Sequence, residues 1–452
     1  MSTSIDNLPE IDQNDWKTRD QKAIWHPFTP LTDSHKIVPL TGAKGCYLHR
    51  TDGRKVLDAI GSWWVNLHGH SNEYIAEKIA QQARTLEHVI FAGFTHEPAV
   101  TLAERLLEIL PQNISKIFYS DNGSTATEVG MKMAFQYWHN QGIQKRRIIA
   151  FEGAYHGDTF GAMSVGERNT FTTPFHPFLF EVEFIPFPEN PKTYTKDLIE
   201  HTRVQEDVIH RFKTLAESGE IAAFIYEPLI QGSAGMRMCS PEILNQLLGI
   251  AKQHQILCIA DEVMTGFGRT GKLFASDHCE IKPDIICLSK GLTGGTLPLG
   301  VTACTDEVQR PYHTKDLLKT FFHGHSFTAN PLSCVAANAS LDLLLSVSCQ
   351  EAIIRIEQSH ASFARHIASH PAVLDIRQTG IVLALEIRTN AKTSYFNEVR
   401  NSLYDYFLEH DILLRPMGNV IYLMTPYIIT DEELQVIYQE IENLLNKMVE
   451  NE

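Results

Sequence analysis

An aspartate and a lysine stand at the ends of two apolar segments near the middle of this 452-residue chain. The apolar run 256–260 leads directly into Asp261, and the run 285–288 leads through one serine into Lys290. Short apolar runs bounded by glycine and proline are typical of buried parallel strands. Side chains at the carboxyl ends of such strands face the crevice where α/β sheets bind ligands. We therefore expect this carboxylate and this amine to share a site.

The combination of an amine and a carboxylate in one crevice indicates carbonyl chemistry. A lysine held in a dry site can lose its proton and form a Schiff base with an aldehyde. A carboxylate can keep a pyridine nitrogen protonated, which leaves the ring poor in electrons. The pair therefore predicts a pyridoxal phosphate enzyme in which Lys290 bonds to the cofactor and Asp261 contacts its ring nitrogen. The alternative interpretation is that both are solvated loop residues.

A longer motif connects these two residues. The sequence DEVMTGFGRTG occupies 261–271, directly after the first apolar run, and SKG occupies 289–291, directly after the second. This arrangement resembles the signature of the class III pyridoxal phosphate aminotransferases. The length of the match makes the resemblance specific, and it implies a transaminase.

The same stretch contains the spacing GxGxxG, as GFGRTG at 266–271, which elsewhere indicates a dinucleotide-binding loop. Here Asp261 and Glu262 would lie beside the pyrophosphate with no compensating charge. In addition, Pro283 leaves only a short segment where a crossover helix is needed. The sequence therefore disfavours a nicotinamide or flavin site.

A small polar loop is the candidate for binding the cofactor phosphate. Gly123 and Ser124 lie between a predicted strand at 116–121 and a helical run at 128–138. A strand, a small polar loop and a helix start in this order can hold an anion on backbone N–H groups. A plain helix cap has the same pattern, so the sequence alone leaves both interpretations open.

A second loop, GAYHGD at 153–158, follows the predicted strand 147–151. Glycines on both sides leave Tyr155 at the strand end, where an aromatic ring can stack on a flat cofactor. Asp158 is placed to orient a donor amine or to order water. This loop is a candidate for contacts to both cofactor and substrate.

Three residues outside the predicted sheet are candidates for a substrate site. The adjacent Trp63 and Trp64 cannot both point into one core from a regular element, so one should face a cleft and suit an apolar chain. Phe28, in the sequence IWHPF, either anchors the N-terminal segment or covers a ligand. Arg415, between apolar runs and next to a proline, is either part of a structural ion pair or a carboxylate clamp.

Strands and helices alternate through the central part of the sequence, which predicts a doubly wound, mostly parallel sheet. The region 376–387 and the region 420–424 alternate with helices and indicate a smaller α+β domain. The predicted class is α/β, and the resemblance implies the fold type I pyridoxal phosphate transferases. We predict an N-terminal segment at 1–64 that joins the small domain, a large cofactor-binding domain at 65–335 and a small domain at 336–452.

Composition and short motifs exclude several classes of function. A net charge of −15 without a basic stripe disfavours nucleic-acid binding. No apolar run reaches the roughly 20 residues that span a bilayer, and the acidic, polar residues 1–20 are unlike a signal peptide. Eight cysteines without a CxxC pair indicate reduced thiols in a cytoplasmic protein. His323 and His325 have no acidic or thiol neighbour and predict no metal site.

Within class III, further segments resemble the branch of the family that acts in biotin biosynthesis. They are WHPF at 25–28, SWWVNLHGH at 62–70, GSTATEVGMKMAFQYW at 123–138, YHGDTFGAMSV at 155–165, QGSAGMRM at 231–238 and LLRPMGNVIYLMTPYII at 413–429. The resemblance covers nearly the whole chain. It implies transamination of 8-amino-7-oxononanoate to 7,8-diaminononanoate by a homodimer with shared active sites.

The resemblance also assigns roles to individual residues. It implies that Gly123, Ser124 and the region of His325 and Ser326 bind the phosphate, with Ser326 of the partner subunit reaching across. It further implies that Tyr155 covers the ring and contacts substrate, together with the substrate contacts Trp63, Gly324, Arg415, Phe28 and Asp158. Trp63 would line the apolar chain of the keto acid, and Arg415 would clamp its carboxylate.

Two departures from the family pattern concern the amino donor. Phe28 stands where the family commonly has tyrosine, and His325-Ser326 stands where it has Pro-Thr. The double tryptophan and the LLRP segment favour S-adenosylmethionine as donor, whereas Phe28 and the HGHS sequence at 323–326 favour L-lysine. A broader ω-amino acid or diamine aminotransferase is the alternative to both.

Overall fold

The computed structural model describes residues 16–32, 37–190, 198–390, 393–394 and 397–450, with the backbone alone at 198–202. Residues 1–15 lie outside the described part of the chain. They form most of the stretch 1–20, whose acidic and polar composition is unlike a signal peptide.

Strands and helices alternate along most of the described chain. The strands are β1 Leu40–Lys44, β2 Tyr47–Arg50, β3 Lys55–Asp58, β4 Ile114–Ser120, β5 Arg147–Phe151, β6 Glu183–Ile185, β7 Ile221–Tyr226, β8 Ile230–Gln231, β9 Arg237–Met238, β10 Leu257–Asp261, β11 Ile285–Leu288, β12 Gly300–Thr305, β13 Val373–Thr379, β14 Val382–Ile387, β15 Ile412–Leu413 and β16 Val420–Leu423. The helices are α1 Trp16–Ala23, α2 Gly61–Trp64, α3 Glu73–Thr85, α4 Glu97–Ile109, α5 Gly123–Asn140, α6 Phe160–Ser164, α7 Leu198–Glu217, α8 Pro241–Gln253, α9 Asp306–Gln309, α10 Pro331–Leu344, α11 Val347–Ile367, α12 Val399–Glu409 and α13 Asp431–Glu450.

A seven-stranded sheet forms the centre of the molecule, in the order β4-β12-β11-β10-β7-β5-β6. All neighbouring pairs are parallel except those of β12, which runs antiparallel to both β11 and β4. The residues of β7, β10 and β11 are buried along their whole length, as expected for strands with helices over both faces. The predicted α/β class with a mostly parallel sheet is confirmed.

A smaller antiparallel sheet, β13-β14-β16, lies in the C-terminal part of the chain. A separate sheet, β1-β2-β3-β15, joins the two ends of the described chain, because β15 pairs in parallel with β3 and places Ile412 opposite Leu57. This pairing supports an N-terminal segment that belongs with the small domain. The boundaries at 64/65 and 335/336 stay a prediction.

The structure corrects the predicted start of the helix after the first strand of the large sheet. Helix α5 begins at Gly123 rather than at residue 128. The Asn122 side chain accepts a hydrogen bond from the Thr125 N–H at 3.0 Å, and the Thr125 hydroxyl accepts one from the Asn122 N–H at 3.1 Å. This reciprocal cap stabilises the first turn, so the small polar residues that predict a loop are the N-terminal turn of the helix.

The structure also gives the form of two further segments. The region 376–387 is a hairpin of β13 and β14, in which Gly380 takes a φ of +56° and a Cβ would lie 2.2 Å from the backbone of Thr270. Only glycine fits such a position. Strand β6 pairs in parallel with β5 at the edge of the large sheet.

None of the described helices has, by itself, the length and apolar composition needed to cross a membrane. Helices α10 and α11, which meet at a bend of 69°, reach that length and composition only when they are taken together. All eight cysteines are free, and seven of them are buried.

Candidate active site

Strands β10 and β11 bring the two chemically active residues together. The strands are parallel neighbours, and the last residue of β10, Asp261, pairs with Cys287. Lys290 follows β11 after one serine and opens a short 3₁₀ turn, with a φ of +45° that is uncommon for a residue other than glycine. Because parallel strands end at the same edge of the sheet, the carboxylate and the amine meet there, as the sequence predicts.

The Lys290 amine lies over an aromatic ring. Its Nζ atom is 4.6 Å from the centre of the Trp64 indole. Burial lowers the pKa of this amine to about 8, although the nearby carboxylates of Asp261 and Glu227 favour its protonated form. An amine with this pKa has a much larger neutral fraction near neutral pH than an ordinary lysine, and nucleophilic attack on a carbonyl requires the neutral form.

The Asp261 carboxylate is buried and held by two donors. Its Oδ1 accepts a hydrogen bond from the Val263 N–H at 3.1 Å, and its Oδ2 lies 2.7 Å from Nδ1 of His156. His156 is itself buried. No sequence pattern identifies His156 as a site residue, and its position in the Tyr155 loop is the one signal that points to it.

A second buried carboxylate, Glu227, fixes the loop that carries Tyr155. Its two oxygens accept hydrogen bonds from the N–H groups of Tyr155 at 3.0 Å and Gly232 at 2.9 Å. Burial raises the pKa of Glu227 to about 7. Glu227 follows β7 in the same way that Asp261 ends β10, so the same strand-end pattern could have identified it.

The N-terminus of α5 and the Tyr155 loop approach each other closely. The hydroxyl oxygen of Ser124 accepts a hydrogen bond from the Asp158 N–H at 3.2 Å. A Cβ at Gly157, whose φ is +127°, would lie 2.0 Å from that oxygen, and a Cβ at Gly123 would lie 2.8 Å from Val263. The two glycines therefore allow the loop and the helix start to form one continuous concave surface.

Two cavities meet at Lys290. The larger has a volume of about 630 Å³, and its walls include Asn122, Gly123, Ser124, His156, Glu227 and Asp261. The second has a volume of about 400 Å³, and its walls include Phe28, Trp63, Met163, Phe171, Arg415 and Tyr422. Trp64, Tyr155, Gly157, Asp158 and Lys290 line both cavities. This arrangement places one reactive amine between two chambers, of which the second has the more apolar walls.

The apolar chamber contains the predicted substrate residues. Trp63 is 41% exposed and Trp64 is 7% exposed, because positive φ angles at Ser62 and Trp64 turn the two indoles apart. The Arg415 guanidinium lies 4.8 Å from the centre of the Trp63 ring, and Phe28 packs edge-on against that ring at 5.6 Å. Among the described residues Arg415 forms no ion pair, which leaves its charge for a ligand.

The family model described as Aminotransferase class-III matches residues 30–445. The chain belongs to the class III aminotransferases. The predicted resemblance is therefore confirmed, and the chain is an enzyme of the transaminase type.

Individual relatives of this class III aminotransferase cover almost all of it. An adenosylmethionine-8-amino-7-oxononanoate aminotransferase from Synechococcus elongatus is 49% identical over 94% of this chain and 99% of its own. The crystal structure of the protein of that name from Methanocaldococcus jannaschii is similar with a TM-score of 0.87 and 34% identity, over 96% of this chain and 99% of that one. An ω-transaminase from Pseudomonas jessenii, solved in complex with PMP, is similar with a TM-score of 0.88 and 25% identity, over 96% and 98%.

Class III aminotransferases are pyridoxal phosphate enzymes, so family membership also confirms the predicted cofactor. The residues of the larger cavity fit this group. A buried carboxylate suits a protonated ring nitrogen, the amine of Lys290 suits an aldehyde, and the N-terminus of α5 suits a phosphate. These assignments of individual residues stay predictions.

The structure also explains the GxGxxG motif of this class III aminotransferase. Residues 266–271 form consecutive turns, and no α-helix lies between β10 and β11. Arg269, inside the motif, is buried and donates hydrogen bonds to the carbonyl oxygens of Trp64 at 3.1 Å and Met424 at 3.4 Å. The motif therefore packs the β10–β11 connection against the end of α2 and the backbone that follows β16, and it lacks the helix that a dinucleotide site needs.

Three predicted site residues lie elsewhere in the aminotransferase chain. Gly324, His325 and Ser326 line neither cavity, and Gly324 and Ser326 are exposed. His325 approaches the phosphate side only through Asp121, with Nε2 at 4.0 Å from the carboxylate. The single chain therefore does not bring this segment to Lys290.

Proposed function

We propose that this aminotransferase transfers an amino group to 8-amino-7-oxononanoate and forms 7,8-diaminononanoate in biotin biosynthesis. S-adenosylmethionine is the proposed amino donor. The names of the Synechococcus elongatus and Methanocaldococcus jannaschii relatives support this assignment, at 49% and 34% identity over nearly the full chain.

The observation that carries the proposal is the chemistry of the smaller cavity. A long keto acid has an apolar chain between a reacting carbonyl and a terminal carboxylate. The cavity offers apolar walls, the Lys290 amine at one side and the guanidinium of Arg415 at another. Arg415 is stacked on Trp63, and a stacked guanidinium can still bind a carboxylate through its edge.

Each of the residues around Lys290 has a separate task in this proposal. The cofactor, when bound, supplies an electron-poor ring that stabilises negative charge at the substrate carbon. Lys290 accepts a proton from that carbon at Nζ and later returns one. The Asp261 carboxylate would balance the positive charge of the ring nitrogen. Tyr155 is held at its backbone by Glu227 and excludes water from one side of the ring.

The experiment that tests this function is a pair of half-reactions followed by absorbance. The yellow enzyme is mixed with S-adenosylmethionine alone, and the loss of the cofactor's visible band is measured. The product is then mixed with 8-amino-7-oxononanoate alone, and the band must return. Recovery with small keto acids or aldehydes but not with this acceptor would instead establish a broader ω-aminotransferase.

L-lysine is the alternative donor, and one structural observation favours it. Phe28 packs against Trp63 at the apolar cavity and has no hydroxyl group to meet a polar donor. Loss of the visible band with L-lysine but not with S-adenosylmethionine would replace the proposed donor and leave the acceptor unchanged.

We also propose a homodimer in which Ser326 of the partner subunit completes the phosphate site. The segment around residues 317–327 presents large apolar side chains to solvent, since Leu317, Leu318, Phe322 and Phe327 are all at least 60% exposed. A second copy that covers these side chains would also bring the segment near a neighbouring site.

Subunit mixing tests this arrangement. Chains with Lys290→Ala and chains with Ser326→Asp are each expected to be inactive, because one lacks the amine and the other places a negative charge beside the phosphate. If Ser326 acts across the interface, mixed dimers contain one intact site and restore about a quarter of the wild-type activity. No recovery in verified mixed dimers would place Ser326 in its own subunit's site.

We propose a cytoplasmic location because the cysteines are free thiols. All eight thiols are free and seven are buried, which suits a reducing compartment. Thiol labelling and fractionation of cells that produce the protein would test both points.

A further inference from the structure

Trp64 occupies the partition between the two cavities and is fixed on several sides. Its indole N–H donates a hydrogen bond to the Tyr422 hydroxyl at 2.9 Å, and its carbonyl oxygen accepts one from Arg269 at 3.1 Å. A Cβ at Gly232 would lie 3.2 Å from the ring, so a glycine makes room for it. An indole held in this way has a defined orientation towards Lys290.

The Lys290 amine rests on the face of that indole, at 4.6 Å from the ring centre. Within the described residues it forms no ion pair, although the carboxylates of Asp261 and Glu227 and the guanidinium of Arg269 act on its charge. A cation within about 6 Å of an indole centre is attracted by the ring's negative face, most strongly when both groups are away from water.

We propose that Trp64 is a positioning residue whose ring face holds the protonated Lys290 amine whenever that amine is not bonded to the cofactor. This role rests on the proposed function, in which Lys290 carries a proton at Nζ between two positions. If the ammonium formed an ion pair with Asp261, it would compensate the negative charge of the carboxylate that is proposed to contact the ring nitrogen. The indole face holds the ammonium between both cavities and leaves the Asp261 charge available.

Fluorinated tryptophans at position 64 provide the test. Fluorine atoms withdraw the ring's negative charge and change its size little, so burial of the amine is preserved. The enzyme is loaded with pyridoxamine phosphate, which leaves Lys290 free, and the pH dependence of Lys290 acetylation is measured by mass spectrometry. From mono- to tetrafluoro-tryptophan, the pKa of Lys290 is expected to fall in steps to a total of about one unit.

The chain contains a matched control pair. The amine of Lys145 lies 4.3 Å from the centre of the Trp138 ring, and neither residue lines either cavity. Fluorination at position 138 is expected to lower the pKa of Lys145 and to leave that of Lys290 unchanged. A Lys290 pKa that stays constant across the series at position 64, while Lys145 responds at position 138, would overturn the proposal.

The result can be separated from a failure of the proposed function. The acetylation measurement needs no amino donor or acceptor, so it is valid whatever the substrates are. In turnover, the acid limb of the pH profile for the acceptor half-reaction, which begins with Lys290 free, is expected to move with the fluorine series by the same amount. A purely structural Trp64 would change the rate or the stability and leave this limb in place.

Discussion

The pKa of the Lys290 amine is lowered by burial and raised by nearby carboxylates. Burial lowers the pKa to about 8, and the carboxylates of Asp261 and Glu227 act against this change. The ammonium is therefore the main form at pH 7, and each rise in pH towards 8 increases the neutral, nucleophilic fraction.

The uptake of cofactor should follow this titration. We expect the rate at which cofactor-free protein bonds to pyridoxal phosphate to increase with pH and to level off above about 8, because only the neutral amine attacks the aldehyde. Stopped-flow absorbance measures this rate. Pyridoxamine phosphate, which has no aldehyde, is the control and should bind without this pH dependence. A midpoint near the ordinary lysine value would contradict the expected environment.

Borohydride reduction shows which residue bonds to the cofactor. After reduction of the yellow enzyme, peptide mapping should find the cofactor mass on Lys290 alone, and Lys290→Ala should take up no stable label. Label on another lysine would remove the chemical basis of the proposed function.

The charge of Arg415 should affect the binding of the acceptor, whose carboxylate it is proposed to contact. It should not affect the reaction of the donor's amino group. We expect Arg415→Gln to raise the KM for 8-amino-7-oxononanoate about 100-fold, because a charge-assisted pair is worth about 2–3 kcal/mol. Steady-state kinetics measures this change, and Arg415→Lys, which keeps the charge, should lose less. An unchanged KM in Arg415→Gln would exclude Arg415 as the carboxylate clamp.

The residues at the start of helix α5 cap the helix, pack against a neighbouring loop and bind the loop of Tyr155. Asn122 caps the helix, Gly123 packs against Val263, and Ser124 accepts a hydrogen bond from the loop of Tyr155. A change in the separation of this loop and this helix start therefore alters the phosphate side and the ring-covering side together.

Gly157→Ala should disrupt this contact. The added Cβ would lie 2.0 Å from the Ser124 hydroxyl oxygen, so the loop and the helix must move apart. We expect the affinity for pyridoxal phosphate to fall at least about tenfold, as measured by equilibrium dialysis.

Gly142→Ala is the matched control for the same helix. Gly142 follows the other end of α5 and also has a positive φ, but nothing lies within 4 Å of its Cβ position. It should lose some stability through backbone strain and retain cofactor affinity. Equal loss of affinity in both variants would show that strain alone, and not the contact with Ser124, weakens binding.

For the whole molecule, two buried histidines connect distant parts of the chain. His68 lies 3.0 Å from the Ser340 hydroxyl in α10, and His360 in α11 lies 2.6 Å from the Tyr438 hydroxyl in α13. Burial lowers the pKa of His68 to about 4 and that of His360 to about 3. Both are therefore neutral in the folded protein at pH values where the unfolded chain protonates them.

Stability should accordingly be lost as the pH falls below 6.5, because the unfolded state then binds more protons than the folded state. Between pH 7 and pH 5 each histidine should contribute a loss of about 2 kcal/mol. His68→Gln should reduce the difference in unfolding free energy between these pH values by about that amount, measured by urea denaturation. His139→Gln, at an exposed position, is the control and should leave the difference unchanged.

The sequence predicts the large sheet and its reactive edge well, because buried parallel strands have a simple pattern and their ends must meet. It places Asp261, Lys290 and Tyr155 correctly at strand ends for this reason. It does not identify His156 as the partner of Asp261, since the two are 105 positions apart and only tertiary packing joins them. The choice of Trp64 over Trp63 as the buried indole likewise depends on local φ angles that composition does not reveal.

The apolar cavity takes Phe28 and Trp63 from the beginning of the chain and Arg415 from near its end, and β15 closes a sheet that β1 begins. Ribosomes therefore complete the lysine side of the site long before the arginine emerges from the exit tunnel. A nonsense codon just upstream of Arg415 would yield a polypeptide with the reactive lysine and β15 but without the guanidinium or β16, the last strand of the smaller sheet. The proposed recognition of the substrate carboxylate thus becomes possible only after residue 415 has been translated.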